Sequence, residues 1–299
     1  MRDEIIQFNK EKSQRLDIYL AEHFTCFSRT YFQAIIKKGF VTVNKTKTLS
    51  SRKLVNGDTI SIRFVDRISN VVPEKISLNV IYEDADLLVI NKPAGVVVHP
   101  ACGHPKGTIV NGVLFYLGGQ MNAVSRIGLV HRLDKETSGV LLIAKNDKAF
   151  LSLSKQFSKR TVKKAYLVLV SGIIDENEGV IEKPLGRSPH DRKKIAVVTD
   201  GRNSTTRFKV IKRFANETYL EAKPTTGRTH QIRVHLASIG NGVVGDREYN
   251  PKSADSTRMM LHAAELGIIH PRTKKRMDFL APPPSEFCAE INKRSKKKR

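Results

Sequence analysis

The segment Gly128–Lys145 reads GLVHRLDKETSGVLLIAK and joins two kinds of chain. Its second half, Val140–Lys145, is an apolar run bounded by the turn Thr137-Ser138-Gly139, which is the pattern of a buried strand. Its first half crowds His131, Arg132 and Asp134 onto the approach to that strand. By local chemistry alone Asp134 has two readings. It is a turn acid that accepts backbone N–H groups, or a carboxylate set at a strand edge where a pocket can open.

Outward from this segment the same strand pattern recurs: Val80–Tyr82, Leu87–Asn91, Ala165–Val170, Thr206–Lys212 and Thr218–Ala222. Helical patterns are fewer, at Thr108–Leu117, Lys148–Lys159 and Thr229–Ile239. Many strands with sparse helices predict an α+β fold built on a mostly antiparallel mixed sheet, over residues 78–290. Upstream, residues 13–65 read as a separate small αβ module. Leu16, Tyr19 and Leu20 recur at helical spacing, Ser28 is a good N-cap for a helix Arg29–Lys38, and Gly39 ends it. Strands Phe40–Asn44 and Thr59–Phe64 follow, the second after the turn Asn56-Gly57-Asp58. Arg29, Lys37, Lys38, Lys45, Lys47, Arg52 and Lys53 make this unit basic. Residues 66–77, with Pro73, form a polar connection. Residues 291–299, ending KRSKKKR, read as a disordered basic tail that adds phosphate affinity.

Over 299 residues, 52 Lys+Arg against 29 Asp+Glu give a formal net charge of +23. Such an excess predicts a polyanionic partner, and nucleic acid is the default because neutralised phosphates release counterions. No run of apolar residues is long enough to span a membrane. The N-terminus, MRDEIIQFNKEKSQ, lacks an apolar signal core. Three cysteines, Cys26, Cys102 and Cys288, are too far apart and odd in number for a disulfide framework, so a cytoplasmic location is expected. The run HPACGH places His99, Cys102 and His104 at a spacing that could hold a soft metal. It lacks a second Cys/His pair, and a Gly/Pro-rich loop accounts for it, so no metal is expected. His230 and His235 read as phosphate or structural hydrogen-bonders rather than general bases. Gly186–Val197, GRSPHDRKKIAV, reads either as an insertion that tracks an RNA backbone or as a solvated hairpin.

HRLDKETSG resembles the signature of the RluA family of pseudouridine synthases. The resemblance extends to Asn91-Lys92-Pro93-Ala94-Gly95 with Val97-Val98-His99-Pro100, to Lys164-Ala165-Tyr166-Leu167, and to Thr226–His235, TGRTHQIRVH. These motifs occur in the family's order across about residues 78–285. Residues 13–65 resemble the RNA-binding domain of small-subunit ribosomal protein S-four. The arrangement is most similar to the large-subunit ribosomal RNA synthases of the RluD-like branch. One departure is Asn250, at the end of Gly245–Asn250, where the family has glycine. Asn tolerates left-handed backbone angles, so the turn is expected to survive.

The resemblance implies isomerisation of uridine to pseudouridine in structured RNA, with Asp134 as the catalytic carboxylate. The reaction breaks N1–C1′ and joins C5 to C1′. It is redox-neutral, so no cofactor is expected, in keeping with the lack of a Gly-rich nucleotide loop. Asp134 either attacks C1′ or takes a proton from C2′. In both routes it acts ionised in a pocket that excludes water, and because burial disfavours the charged form a cation must accompany it. The resemblance implies Arg233. Ile232, Leu236 and Ile239 fall on one helical face, with Thr229 as cap and Gly240 as terminator, which would put Arg233 beside the buried face near the helix start. Without the motif, Arg233 would read as a phosphate contact or a surface charge. Tyr166, by resemblance, stacks on an extruded base and assists proton removal from C5; read alone it is a core tyrosine. Arg132, His131 and Arg228 are implied RNA contacts, as are Lys37, Lys38 and Arg29 in the small unit. The expected partner is large-subunit ribosomal RNA, within a pre-ribosomal particle and bound by a monomer. A non-catalytic ribosome-assembly factor, a glycosylase that releases uracil, and a synthase acting on transfer RNA remain open at this point.

Overall fold

A computed structural model describes residues 2–24, 27, 29–64, 71–100, 103–118, 128–253 and 256–296. Ser28, Cys26, Cys102, most of the 66–77 connection before residue 71, and the last three residues of the basic tail lie outside the described residues.

The first sheet is built from β1 (Arg2–Gln7), β3 (Val41–Val43), β4 (Thr46–Lys47) and β6 (Thr59–Phe64), in the order β1-β6-β3-β4 and antiparallel throughout. β2 (Gln14–Arg15) pairs with β5 (Lys53–Leu54) beside it. Helices α1 (Leu16–His23) and α2 (Arg29–Lys37) supply the other side of the core. Tyr31, Phe32, Ile35 and Ile36 form one stripe of α2, so that face is buried on Leu20, Val41 and Ile62. β1 lies ahead of residue 13 and was not legible as a strand, because its Arg2-Asp3-Glu4 start is charged and its Ile5 is exposed.

Asp17 holds this unit together from within. Its side chain has no exposure and accepts from Arg15 at 3.0 Å, Arg29 at 2.9 Å and Gln33 at 2.7 Å. Burial pulls its pKa up, and these three donors outweigh it, so the carboxyl sits well below its usual range. Arg29 is therefore committed to a structural ion pair while half of it faces solvent. Lys37 and Lys38 are exposed at the end of α2.

The second sheet runs β11-β14-β15-β10-β16-β9-β8-β7, with β17 on the outer half of β16. Its strands are β7 (Val80–Glu83), β8 (Leu87–Lys92), β9 (Ser138–Ala144), β10 (Lys163–Ser171), β11 (Glu178–Glu182), β14 (Thr205–Arg213), β15 (Glu217–Pro224), β16 (Leu261–Ile269) and β17 (Arg276–Leu280). A two-stranded hairpin, β12 (Leu185–Arg187) and β13 (Ile195–Val197), stands apart. Pairing is antiparallel except between β9 and β16, so the expected α+β fold with a mostly antiparallel mixed sheet is the one observed.

β9 is buried at every position because both faces are covered. Leu141 and Ile143 face α3 (Ile109–Tyr116), whereas Val140, Leu142 and Ala144 face α4 (Asp147–Ser158). Thr108 caps α3 in a reciprocal box with Asn111, and Asn146 caps α4. Residues 71–79 are not a free linker: Asn111 donates to Val72 O at 2.7 Å, and Ile76 and Leu78 lie over Gly112.

Two helix expectations change. α5 spans Gln231–Ala237, shorter than Thr229–Ile239, and its cap is His230 rather than Thr229. Ile239 falls past its end and is exposed, while Gly240 closes the turn at φ +88°. The tail expected to be disordered from residue 291 instead continues α6 (Ser285–Lys296). Phe287 is buried, Ile291 packs beside it, and Arg294 pairs with Glu217 and Glu290. No helix among the described residues is long and apolar enough to cross a membrane.

Asp17→Asn is expected to destabilise the small unit by about 2 kcal/mol at neutral pH, since it leaves Arg15 and Arg29 without their shared anion. The native pKa lies below the ordinary 3.8, so this stabilisation is present above pH 3.8 and is lost as the pH falls through the native value. Urea titrations of wild type and variant should differ at neutral pH and converge as the pH is lowered below 3.8.

Candidate active site

Asp134 sits in a turn, Thr137 N–H to Asp134 O at 3.1 Å, immediately before β9. That turn is held from two sides. On one side Lys92, with no exposure, donates to Pro93 O at 2.7 Å, Val96 O at 2.8 Å and Lys135 O at 3.0 Å. Its three ammonium donors meet three carbonyls, so the Asn91–Gly95 loop is fastened to the residue after Asp134. Burial pushes the Lys92 pKa down to about 7, against the charges of Glu136 and Asp134 that pull it up. On the other side Gly139, at φ +118°, lets β9 lie close beside β16, where a Cβ would come 2.1 Å from Ala263 O. Ser138 next to it bonds His262 at 2.8 Å and Arg258 at 2.7 Å.

Arg233, on the first turn of α5, reaches Asp134 with Nη1–Oδ2 at 3.3 Å, as expected from the motif. Its stronger partner is one that the sequence reading missed. Asp246, 1% exposed, takes Nε at 2.7 Å and Nη2 at 2.9 Å in a bidentate pair, and Glu248 takes Nη2 at 2.9 Å. Tyr249 covers the guanidinium, its ring centroid 4.8 Å from Cζ. Burial opposes the charge on Arg233, but Asp246, Asp134 and Glu248 raise its pKa above the usual value. In the sequence Gly245–Asn250 stands out only for its final Asn. Asn250 is not in a left-handed conformation. The turn stands because its Nδ2 donates to Ser171 Oγ, Gly242 O and Val243 O.

His230 also has partners that the sequence did not reveal. Its backbone is left-handed at φ 53°, its Nδ1 lies 2.8 Å from Tyr249 Oη and 3.5 Å from Glu248, and its Nε2 faces Asp134 Oδ1 at 3.9 Å. Tyr249 Oη in turn accepts Ile195 N–H of the β12–β13 hairpin at 3.1 Å, which docks the basic segment Gly186–Val197 onto the site.

Asp134, His230 and Arg233 border a cavity of about 390 Å³ whose wall also includes Tyr166, Arg132, Lys164 and Arg228. Tyr166 could have faced either side of the sheet. Alternation along β10 puts it on the face of Val168 and Val170, which packs with Ile232 and Leu236 of α5, and so into the cavity. Burial and the charge of Asp134 raise its pKa well above 10, so the phenol keeps its proton. Lys164 donates to Thr226 O at 2.9 Å, and burial with the nearby Arg160 charge lowers its pKa to about 8. His131 borders the cavity, but its Nε2 accepts Leu142 N–H at 2.9 Å and its ring stacks on Phe157. Burial lowers its pKa to about 3, so it stands as a neutral extension of the β9 ladder, with only Nδ1 left for RNA. His235 is likewise structural, bonded to Ser204 and Thr206. Arg29, Lys37 and Lys38 are not part of the cavity wall.

Asp84, Asp86 and His270 bring ligand-type atoms within 4.8 Å of one another. Each is already engaged: Asp86 with Arg272, Asp84 with Tyr82, His270 with Asp84 through Nε2 and with two backbone N–H groups through Nδ1.

Residues 86–238 match the family model for RNA pseudouridylate synthase. The chain is 42% identical over 293 residues to an uncharacterized RNA pseudouridine synthase of Bacillus subtilis, with 96% of each chain covered. It is 39% identical to ribosomal large subunit pseudouridine synthase D of Neisseria meningitidis, covering 91% of this chain and 76% of that protein. Among solved structures, human RNA pseudouridylate synthase domain containing 1 superposes with a TM-score of 0.60 at 29% identity, over 71% of this chain and 85% of that one.

Asp246→Ala is expected to lower stability by about 3–5 kcal/mol, because a buried guanidinium loses its bidentate partner. Denaturant unfolding measures it. A loss below about 1 kcal/mol would show that Asp134 and Glu248 suffice to hold Arg233.

Proposed function

The chain belongs to the RNA pseudouridylate synthase family, in its RluA branch, and from that membership we propose that it isomerises uridines of large-subunit ribosomal RNA with Asp134 as the reacting carboxylate. The observation that carries this reading is the position of Asp134. It is 20% exposed at the cavity wall and paired with a guanidinium that Asp246 fixes from behind. A carboxylate so placed is oriented by Arg233 and open to the cavity. The name of the Neisseria relative supports large-subunit RNA as the substrate.

The residues divide the work as follows. A uridine inside a helix exposes neither C1′ nor C5, so the base must be extruded into the cavity. Tyr166, protonated and aimed inward, offers its ring as a stacking surface. Arg132, exposed at the rim, fills the gap left by the base or holds the strand. Asp134 then breaks the glycosidic bond by attack at C1′ or by proton transfer from C2′. Arg233 orients it through Nη1 alone, because Asp246 takes Nε and Nη2 in a bidentate pair and Glu248 also takes Nη2. Arg228 contacts backbone phosphates at the cavity, and His131 has Nδ1 for the same purpose. Residues 78–290 form the catalytic domain. Residues 13–65, with Lys37, Lys38 and the exposed part of Arg29, grip structured RNA near the target, in the cytoplasm, as a monomer and on a pre-ribosomal particle. The reaction exchanges one bond for another within the substrate and uses no cofactor.

Unmodified ribosomal and transfer RNA incubated with wild type and Asp134→Asn, followed by pseudouridine mapping, tests this. Wild type is expected to modify large-subunit RNA. The variant, which keeps an acceptor for Arg233, should lose activity by roughly four orders of magnitude or more. Pseudouridine only in transfer RNA would move the substrate. Free uracil would make the protein a glycosylase, and no product in either RNA would favour an assembly factor.

A further inference from the structure

We propose that His230 is the base that removes the C5 proton from the rearranged uracil. The inference rests on the reading of Asp134 as the group that meets C1′.

Every route to pseudouridine passes through the same late intermediate. The released uracil anion bonds through C5 to C1′, which leaves C5 tetrahedral with its hydrogen and an N1=C6 double bond. The C5–H bond must then break. Its electron pair forms C5=C6, the N1=C6 pair moves onto N1, and N1 takes a proton from solvent. The base that accepted the C5 proton returns it to solvent, so protons balance and nothing is oxidised or reduced.

C5 is one bond from C1′ at that stage, and C1′ has just met Asp134. The base must therefore lie within a few ångströms of Asp134 and face the cavity. His230 Nε2 lies 3.9 Å from Asp134 Oδ1 and its side chain is 21% exposed at the cavity wall. The hydrogen-bond network sets its tautomer. Tyr249 Oη accepts Ile195 N–H, and Glu248 stands beside both the phenol and His230 Nδ1. The consistent assignment has Tyr249 donating to Glu248 and Nδ1–H donating to Tyr249, which leaves the Nε2 lone pair directed at the cavity. Two acceptors, Nε2 and Oδ1, then lie side by side on the cavity wall, where a C–H on C5 can approach Nε2 while C1′ is at Asp134.

The charges around the ring suit a base that gains a proton. Asp134, Glu248 and Asp246 surround it, with Arg233 as the opposing cation and Tyr249 as the neutral contact. Burial holds its pKa below 6.5, so it is unprotonated at neutral pH, and the three carboxylates stabilise the imidazolium once formed. Tyr166 lacks these properties, because its phenol is held protonated by burial and by Asp134. The left-handed backbone at φ 53° aims the ring by fixing where the chain enters α5.

The test uses an RNA stem-loop that wild type converts, prepared with hydrogen or deuterium at C5 of the target uridine. His230→Asn keeps a residue that tolerates the left-handed backbone. It should lower kcat by roughly 100-fold with little change in KM, and a C5 isotope effect on kcat should appear that wild type lacks. Tyr166→Phe should show no isotope effect, whatever its kcat. His230→Asn with unchanged kcat, or with a slow reaction free of any isotope effect, overturns the proposal. An isotope effect arising in Tyr166→Phe instead transfers the role to Tyr166. Failure of wild type to form pseudouridine at all is a different result and overturns the reading of the site itself.

Discussion

Arg233 and Asp246 form the pair on which the site depends. A guanidinium 9% exposed and a carboxylate 1% exposed are costly to desolvate separately, and a fork-on-fork geometry with two short bonds offsets that cost. What matters for chemistry is the donor left over. With Nε and one Nη2 hydrogen committed to Asp246, and Glu248 also on Nη2, Nη1 alone is presented to Asp134 at 3.3 Å. A guanidinium free to turn would form its own bidentate pair with Asp134 and shield it. Fixing the arginine from behind leaves Asp134 facing the cavity.

The remaining framework keeps the two halves of that arrangement in register. Asp134 comes from the loop ahead of β9, and Arg233 comes from α5, 99 residues later. The sheet joins them: β9 lies beside β16, β16 beside β10, and β10 carries Tyr166 into the same cavity. Lys92 closes the Asp134 side by saturating three carbonyls, a use of a buried ammonium that tolerates no looseness, since any carbonyl withdrawn leaves a donor unsatisfied. Tyr249 closes the Arg233 side and also receives the hairpin Leu185–Val197. The basic hairpin and the acid–arginine pair therefore share one tyrosine, so displacement of one is felt by the other.

The sequence determined the strands and the class of chemistry. Apolar runs such as Val140–Ala144 and Leu87–Ile90 need no partner to be recognised, because full burial demands them, and α2 announces its buried stripe by spacing alone. HRLD, the tyrosine and arginine motifs and the net charge of +23 pointed to an RNA pseudouridine synthase before any contact was known. What the chain did not disclose were facts set by distant neighbours. Tyr166 faces inward because α5 covers the β10 face it shares with Val168 and Val170, Asn250 is a side-chain staple rather than a left-handed turn residue, and residues 291–296 are helical because Phe287 and Arg294 find partners on the sheet. The partners of Arg233 and His230 belong to this group too. Local propensity fixes backbone shape over a few residues, whereas hydrogen bonds among Asp134, His230, Arg233, Asp246 and Tyr249 exist only once the sheet has brought three separate loops to one wall.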